Sequence, residues 1–176
     1  LPGENKAGFS GQDVGKLPLE TCQTMNKGWG YEVDDTKYKS TTELIRYLVS
    51  TSGKGANLLL NIGPQPNGEL PATALARLKE MGEWLAVNGE TLYGTKAGDV
   101  KQQEWGCTTR KDNRLFVHIF ELDQDVLYLP LECKVTAAKA FADGKAVKFK
   151  QVTGGVLLEV GKVHDATDYI VELQTR

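Results

Sequence analysis

Residues 56–62 read ANLLLNI and run into 63–68, GPQPNG. A short, mostly apolar run cut off by glycine and proline is the pattern of a strand buried on both faces. The residues around it have a different period. Over Ser40–Ser52, Leu44, Ile45, Leu48 and Val49 recur as one apolar stripe, which predicts a helix. Ser40 and Glu43 have the spacing of a capping box, and Gly53 suits the left-handed position past the helix end. A second helix is predicted from Pro71, placed at the first helical position, to about Asn88. Its buried stripe would be Leu75, Leu78, Met81 and Leu85, with Trp84 beside it and Gly89 as the stop. Upstream, Leu17–Met25 (LPLETCQTM) alternates, with Leu17, Leu19, Thr21, Gln23 and Met25 on one face and Glu20, Cys22 and Thr24 on the other. Strand, helix, strand, helix predicts parallel βα units.

After about Gly98 no helical period recurs. Short strands are predicted at Gln102–Thr109, Leu115–Glu121, Val126–Leu131, Val135–Phe141, Val147–Gln151, Val156–Val160 and Tyr169–Leu173. Turns at Asp112-Asn113, Asp123-Gln124-Asp125, Asp143-Gly144 and Gly154-Gly155 separate most of them. Strands at that spacing predict an antiparallel sandwich. The fold class is therefore α/β plus all-β. Two βα units cannot close a barrel, which takes roughly 250 residues, and a two-stranded parallel sheet leaves both edges open. Residues 1–96 are expected to be the last part of a larger α/β domain. The loop-like, Gly-rich opening (residues 1–16), starting at Leu1 without Met, is read as a cut inside something longer.

Composition narrows the function. The 176 residues carry a net charge of -2, which argues against a binder of nucleic-acid phosphates. No apolar run approaches the roughly 18 residues of a membrane span. Cys22, Cys107 and Cys133 are few, odd in number and far apart, so a disulfide scaffold is excluded. No phosphate-binding loop is present. Zinc is not expected, because His118 and His164 are lone and the cysteines lack close spacing. His118 reads as a satisfied sheet residue and His164 as a surface one. Cys22 is the one thiol worth testing for reactivity, a buried structural thiol being the plainer reading.

Two places carry candidate chemistry. Glu20 stands on the first strand, followed by Trp29 and Tyr31 between glycines. A carboxylate near the C-terminal end of a parallel strand with aromatics on the next loop is the layout of a sugar site; the alternative is a structural carboxylate and a core-anchoring indole. Asn61-Ile62-Gly63-Pro64 ends the second strand on the same face, where Asn61 either lines the site or caps the loop.

Residues 18–31 (PLETCQTMNKGWGY), 55–68 (GANLLLNIGPQPNG) and 77–94 (RLKEMGEWLAVNGETLYG) together resemble the C-terminal half of the catalytic domain of family 29 α-L-fucosidases. The resemblance covers about residues 15–96, and the part after 97 is similar to that family's C-terminal β-sandwich in position and strand content. It implies that 1–96 are the C-terminal βα units of a catalytic (β/α)8-like barrel and 97–176 a C-terminal β-sandwich domain. It also implies a retaining exo-glycosidase that removes terminal α-L-fucosyl residues with two carboxyl groups and needs no cofactor and no metal. The nucleophile would be an Asp on an earlier strand, upstream of Leu1. The acid/base would lie near the first residues, where Glu4 is a candidate, or be Glu20, unless Glu20 is its neighbour. Trp29 would pack toward the fucose methyl, and Asn61 would bind substrate. Leu19 departs from the family, which usually has Trp there. The implied partners are fucosylated glycans and the remainder of the barrel, with no nucleic acid and no membrane. The implied location is periplasmic, secreted or lysosomal.

The alternative function is a non-catalytic carbohydrate-binding or accessory module, for which the all-β half has the right size. Trp105, Phe116 and Tyr128 would decide, and their strand patterns place them in the core. A third reading makes the sandwich only a brace for the barrel.

Overall fold

The computed structural model describes residues 19–176. Glu4, the loop-like opening, and Leu17 and Pro18 at the predicted strand start lie outside the described residues. The chain runs β1 (Glu20–Thr24), α1 (Thr41–Gly53), β2 (Asn57–Asn61), α2 (Ala72–Asn88), a 3-10 turn (Gly89–Thr91), β3 (Lys96–Ala97), β4 (Gly106–Lys111), β5 (Arg114–Ile119), β6 (Val126–Leu129), β7 (Val135–Ala140), β8 (Lys148–Val152), β9 (Gly155–Glu159) and β10 (Tyr169–Thr175).

β1 and β2 are parallel, with Glu20 opposite Asn57 and Thr24 opposite Asn61. α1 starts where its capping box predicts. The Glu43 amide donates to Ser40 Oγ (3.2 Å), and the Ser40 amide donates to Glu43 Oε2 (2.7 Å). Its Leu44, Ile45 and Val49 are buried together with Met25, Ala74 and Met81. Leu60, Ile62, Trp84 and Leu85 pack against that cluster. Gly53 is not the left-handed cap; it is the last helical residue, and Gly55 takes the positive φ of 71°. Gly53 is needed for another reason. A Cβ there would lie 2.7 Å from Cys107 Sγ, so α1 presses directly on β4.

Three further sequence expectations fail here. β2 is not buried on both faces. The helices cover one face only, and Leu59, on the face shared with Cys22, is 41% exposed. Pro71 is the cap residue before α2, not its first helical residue. The α2 stripe is also displaced: Ala74 and Met81 are buried against α1, whereas Leu75 and Leu78 are exposed. The leucine period was right for a helix, but α1 covers a narrower line of it.

The all-β part forms a five-stranded sheet, β3-β4-β5-β10-β7, and a three-stranded sheet, β6-β9-β8, with antiparallel pairing throughout. Leu115, Val117, Ile119, Val171 and Leu173 of the larger sheet share one core with Leu127, Leu129, Val156 and Leu158 of the smaller. That is the packing of a sandwich. The larger sheet has a second buried face. Cys107 of β4 and Phe120, just past β5, belong to the cluster under the helices, and β5 is buried on both sides, so this sheet is a wall common to two cores. The predicted strand at Gln102 starts at Gly106 instead. Gln103 and Gly106 close a tight reversal first, and a Cβ at Gly106 would lie 2.0 Å from the His118 carbonyl oxygen.

Candidate active site

The two parallel strands end together. The Met25 amide donates to the Asn61 carbonyl at 3.1 Å, continuing the ladder one step past β1. Chain then leaves both strands at the same end, as loop 26–39 and as the turn that starts at Ile62. In parallel βα architecture, ligands bind outside this carboxyl end.

The long loop is held by short polar contacts. Asp35 accepts from Asn26 Nδ2 and the Lys27 amide, both at 3.0 Å, and from the Lys37 amide at 3.2 Å. Lys39 Nζ donates to the Thr24 carbonyl at 2.7 Å, and its amide donates to the Met25 carbonyl at 2.9 Å. Burial, followed by nearby Asp35 and Tyr31, pushes the Tyr38 phenol above its ordinary range. Within this frame Trp29 is 57% exposed, with Tyr31 beside it in sequence at 37%.

Trp29 and Asn61 are brought together. Asn61 Nδ2 donates to the Trp29 carbonyl at 2.8 Å. Gly63 closes the same junction, because a Cβ there would fall 2.5 Å from both the Gly30 carbonyl carbon and the Tyr31 nitrogen. Asp35, and the contact that Gly63 makes, escaped the sequence reading. The Ile62-Gly63-Pro64 break was visible, but the segment that it touches is some 30 residues away in the chain.

Glu20 is not brought into this group. It was expected near the C-terminal end of its strand, but it is the first residue of β1, paired with the first residue of β2. Four residue steps of strand separate it from Thr24, about 13 Å at the usual rise. It shares a sheet face with Asn61 and stands at the opposite end. Cys22 lies between them and is half-buried.

Elsewhere, His118 is fully buried. Its Nδ1 lies 2.8 Å from Asp168 Oδ2 and its Nε2 3.1 Å from Thr109 Oγ1, so the satisfied-sheet reading holds. Trp105 and Phe116 are buried as expected, whereas Tyr128 is 46% exposed. Tyr128 sits on β6, the edge of the smaller sheet, its ring over Gly155 and its hydroxyl donating to the Gly154 carbonyl (3.0 Å). Among the described residues, Glu121, Asp123 and His164 place potential metal-ligand atoms within 4.8 Å of one another. All three are exposed on the sandwich, and His164 Nδ1 is engaged with Glu121 at 2.5 Å. This grouping was not visible in sequence, because the Leu122–Val163 bridge creates it.

The sequence model for α-L-fucosidase matches residues 5–90. A Dictyostelium discoideum α-L-fucosidase is 35% identical over 111 residues, covering 60% of this chain and 24% of that protein. Over those residues the chain is similar to the α-L-fucosidase family. In three dimensions it is similar to α-L-fucosidase isoenzyme 1 from Paenibacillus thiaminolyticus, with a TM-score of 0.83, 31% identity, and coverage of 98% of this chain and 43% of that one. The Thermotoga maritima α-fucosidase in complex with fucose gives a TM-score of 0.77 at 27% identity, covering 92% and 40%. The chain thus spans about a quarter of the length of the Dictyostelium fucosidase and about two fifths of these two structures.

Proposed function

We propose that this chain contributes to a retaining exo-glycosidase that releases terminal α-L-fucosyl residues from glycans. The observation that carries this reading is the half-exposed Trp29 ring at the carboxyl end of two parallel strands, fixed there by Asn61 and Gly63. A flat apolar ring suits a sugar that carries a methyl group in place of the usual hydroxymethyl. Asn61 shapes the site by holding the Trp29 backbone. The fucosidase relatives support the substrate class.

The reading places β1, α1, β2 and α2 within a (β/α)8-like barrel and assigns 1–96 to it and 97–176 to the sandwich. The uncovered face with Cys22 and Leu59 then turns toward the remaining barrel strands. Retaining hydrolysis needs a nucleophile and an acid/base some 5–5.5 Å apart. Glu20, about 13 Å along the strand from the Trp29 end, is not given either role, and Glu4 lies outside the described residues. An exported or lysosomal location follows the family; among the described residues no helix is long and apolar enough to cross a membrane. The wall common to both cores speaks against a separable carbohydrate-binding module, since such a unit needs a core closed on its own.

Trp29→Ala in the full-length protein tests the reading. With an aryl α-L-fucoside kcat/KM should fall by about 10- to 200-fold, the range that one methyl-sized apolar contact commands. The preference over the matching aryl α-L-galactoside should shrink with it. Unchanged kcat/KM for both substrates would overturn the proposal.

A further inference from the structure

Among the contacts between α1 and the sandwich, one residue makes three hydrogen bonds. Arg46 Nε donates to the Thr167 carbonyl at 3.1 Å, and its Nη2 donates to the Phe120 and Ala166 carbonyls, each at 2.7 Å. The guanidinium carbon also lies 5.4 Å from the centre of the Phe120 ring. These carbonyls belong to the segments just after β5 and just before β10, two strands that pair with each other. Thr42, one turn earlier on α1, meets Thr167 hydroxyl to hydroxyl at 3.2 Å. Lower on the helix, Cys107 Sγ of β4 contacts the Val49 carbonyl at 3.5 Å.

The other end of this connection is the Trp29 loop. Ser40 caps α1, and Lys39, immediately before it, is bonded to the carbonyls of Thr24 and Met25 at the end of β1. Arg77 of α2 donates to the Lys39 carbonyl at 3.1 Å. The start of α1 and the root of the loop are therefore one hydrogen-bonded unit. A displacement of α1 must move that root, which lies four residues before Trp29.

We infer that Arg46 is a positioning residue for the sugar site: through it the sandwich sets where α1 begins and so where Trp29 stands. The planar fork is required, because it serves two segments at once while stacking on a ring; an ammonium is a single point and cannot. The inference rests on Trp29 lining the site, and its test reads the loop separately from catalysis.

The test is fluorotryptophan NMR of the full-length protein, with Trp29 and Trp105 assigned by single replacement with Phe, combined with fucoside kinetics. In Arg46→Ala the Trp29 resonance should shift or broaden while Trp105 in the sandwich core keeps its position. KM should rise about fivefold or more with kcat within twofold. Arg46→Lys should behave like Arg46→Ala, and millimolar methylguanidinium should restore the Trp29 signal and KM in the alanine variant only. A Trp29 resonance unmoved in both variants overturns the inference, as does full function in Arg46→Lys; the lysine variant decides if the alanine variant does not fold. If Trp29 responds to Arg46→Ala but fucose leaves its resonance unmoved in the unaltered protein, the sugar-site reading fails and the coupling stands.

Discussion

The side-chain amide of Asn61 is bonded to the backbone of Trp29 at 2.8 Å, across 32 residues of sequence. It links the last residue of β2 to the loop that follows β1, and it makes two strand ends into one surface. Asn61→Leu removes the donor while keeping the volume. One such hydrogen bond is worth about 1 kcal/mol, so KM for an aryl α-L-fucoside should rise about fivefold with kcat little changed. Steady-state kinetics on the full-length protein checks it.

Gly63→Ala attacks the same junction from the backbone. The new Cβ would meet main-chain atoms of Gly30 and Tyr31, which cannot rotate away as a side chain can. The loop must shift, and a misplacement of about 1 Å can cost up to about 100-fold in rate. The expected outcome is a folded protein, by circular dichroism, with kcat/KM reduced at least tenfold.

Glu20→Gln should leave kcat and KM within about twofold of the unaltered protein. A drop of 100-fold or more, of the kind that removal of a general acid produces, would place Glu20 in the chemistry after all.

The sequence showed α1 well, because Ser40, Glu43 and the leucine–isoleucine stripe all act within the helix itself. It put Trp29 and Asn61 at the same end of neighbouring strands, because Trp29 follows one strand and Asn61 ends the other, and both strands were correctly identified. It misplaced Glu20, since which end of a strand a residue occupies depends on where pairing with β2 begins. Burial of Leu59, Leu75 and Leu78 was misjudged for a related reason: period says which residues share a face and not whether anything covers it. Tyr128 read as core because its strand alternates, yet β6 is an edge. Arg46 was invisible, because its three acceptors are backbone carbonyls that carry no signature in side-chain identity.

His118 and Asp168 form a buried pair inside the common wall. His118→Leu would leave the Asp168 carboxylate buried with its main partner gone. Breaking such a pair from one side costs roughly 3–5 kcal/mol. The double variant His118→Leu/Asp168→Leu should recover part of the loss, and urea unfolding of the three variants gives the coupling energy directly.

Acid should weaken the fold partly through Glu172. Burial alone would raise its carboxyl, but Arg114, which reaches both oxygens, and Lys139 outweigh it and hold it below the usual carboxylate range. A carboxyl lowered by folding adds stability above its unfolded value of about 4.3, and that stability is lost as pH falls through the lower folded value. Glu172→Gln should therefore be less stable at pH 7 and show a flatter loss between about pH 4.3 and lower pH, measured as melting temperature against pH.

The sheet with two buried faces makes the protein hard to take apart by cutting. The chain passes from the helices to the sandwich through one exposed stretch that includes Lys101. A protease that nicks it there breaks a covalent link but no packing. β3 stays paired with β4, Arg46 keeps its carbonyls, and Phe120 stays under the helices. The two fragments should co-elute as a stoichiometric complex and separate only in denaturant, so a band pattern of two pieces on a gel would not mean two independent proteins in solution.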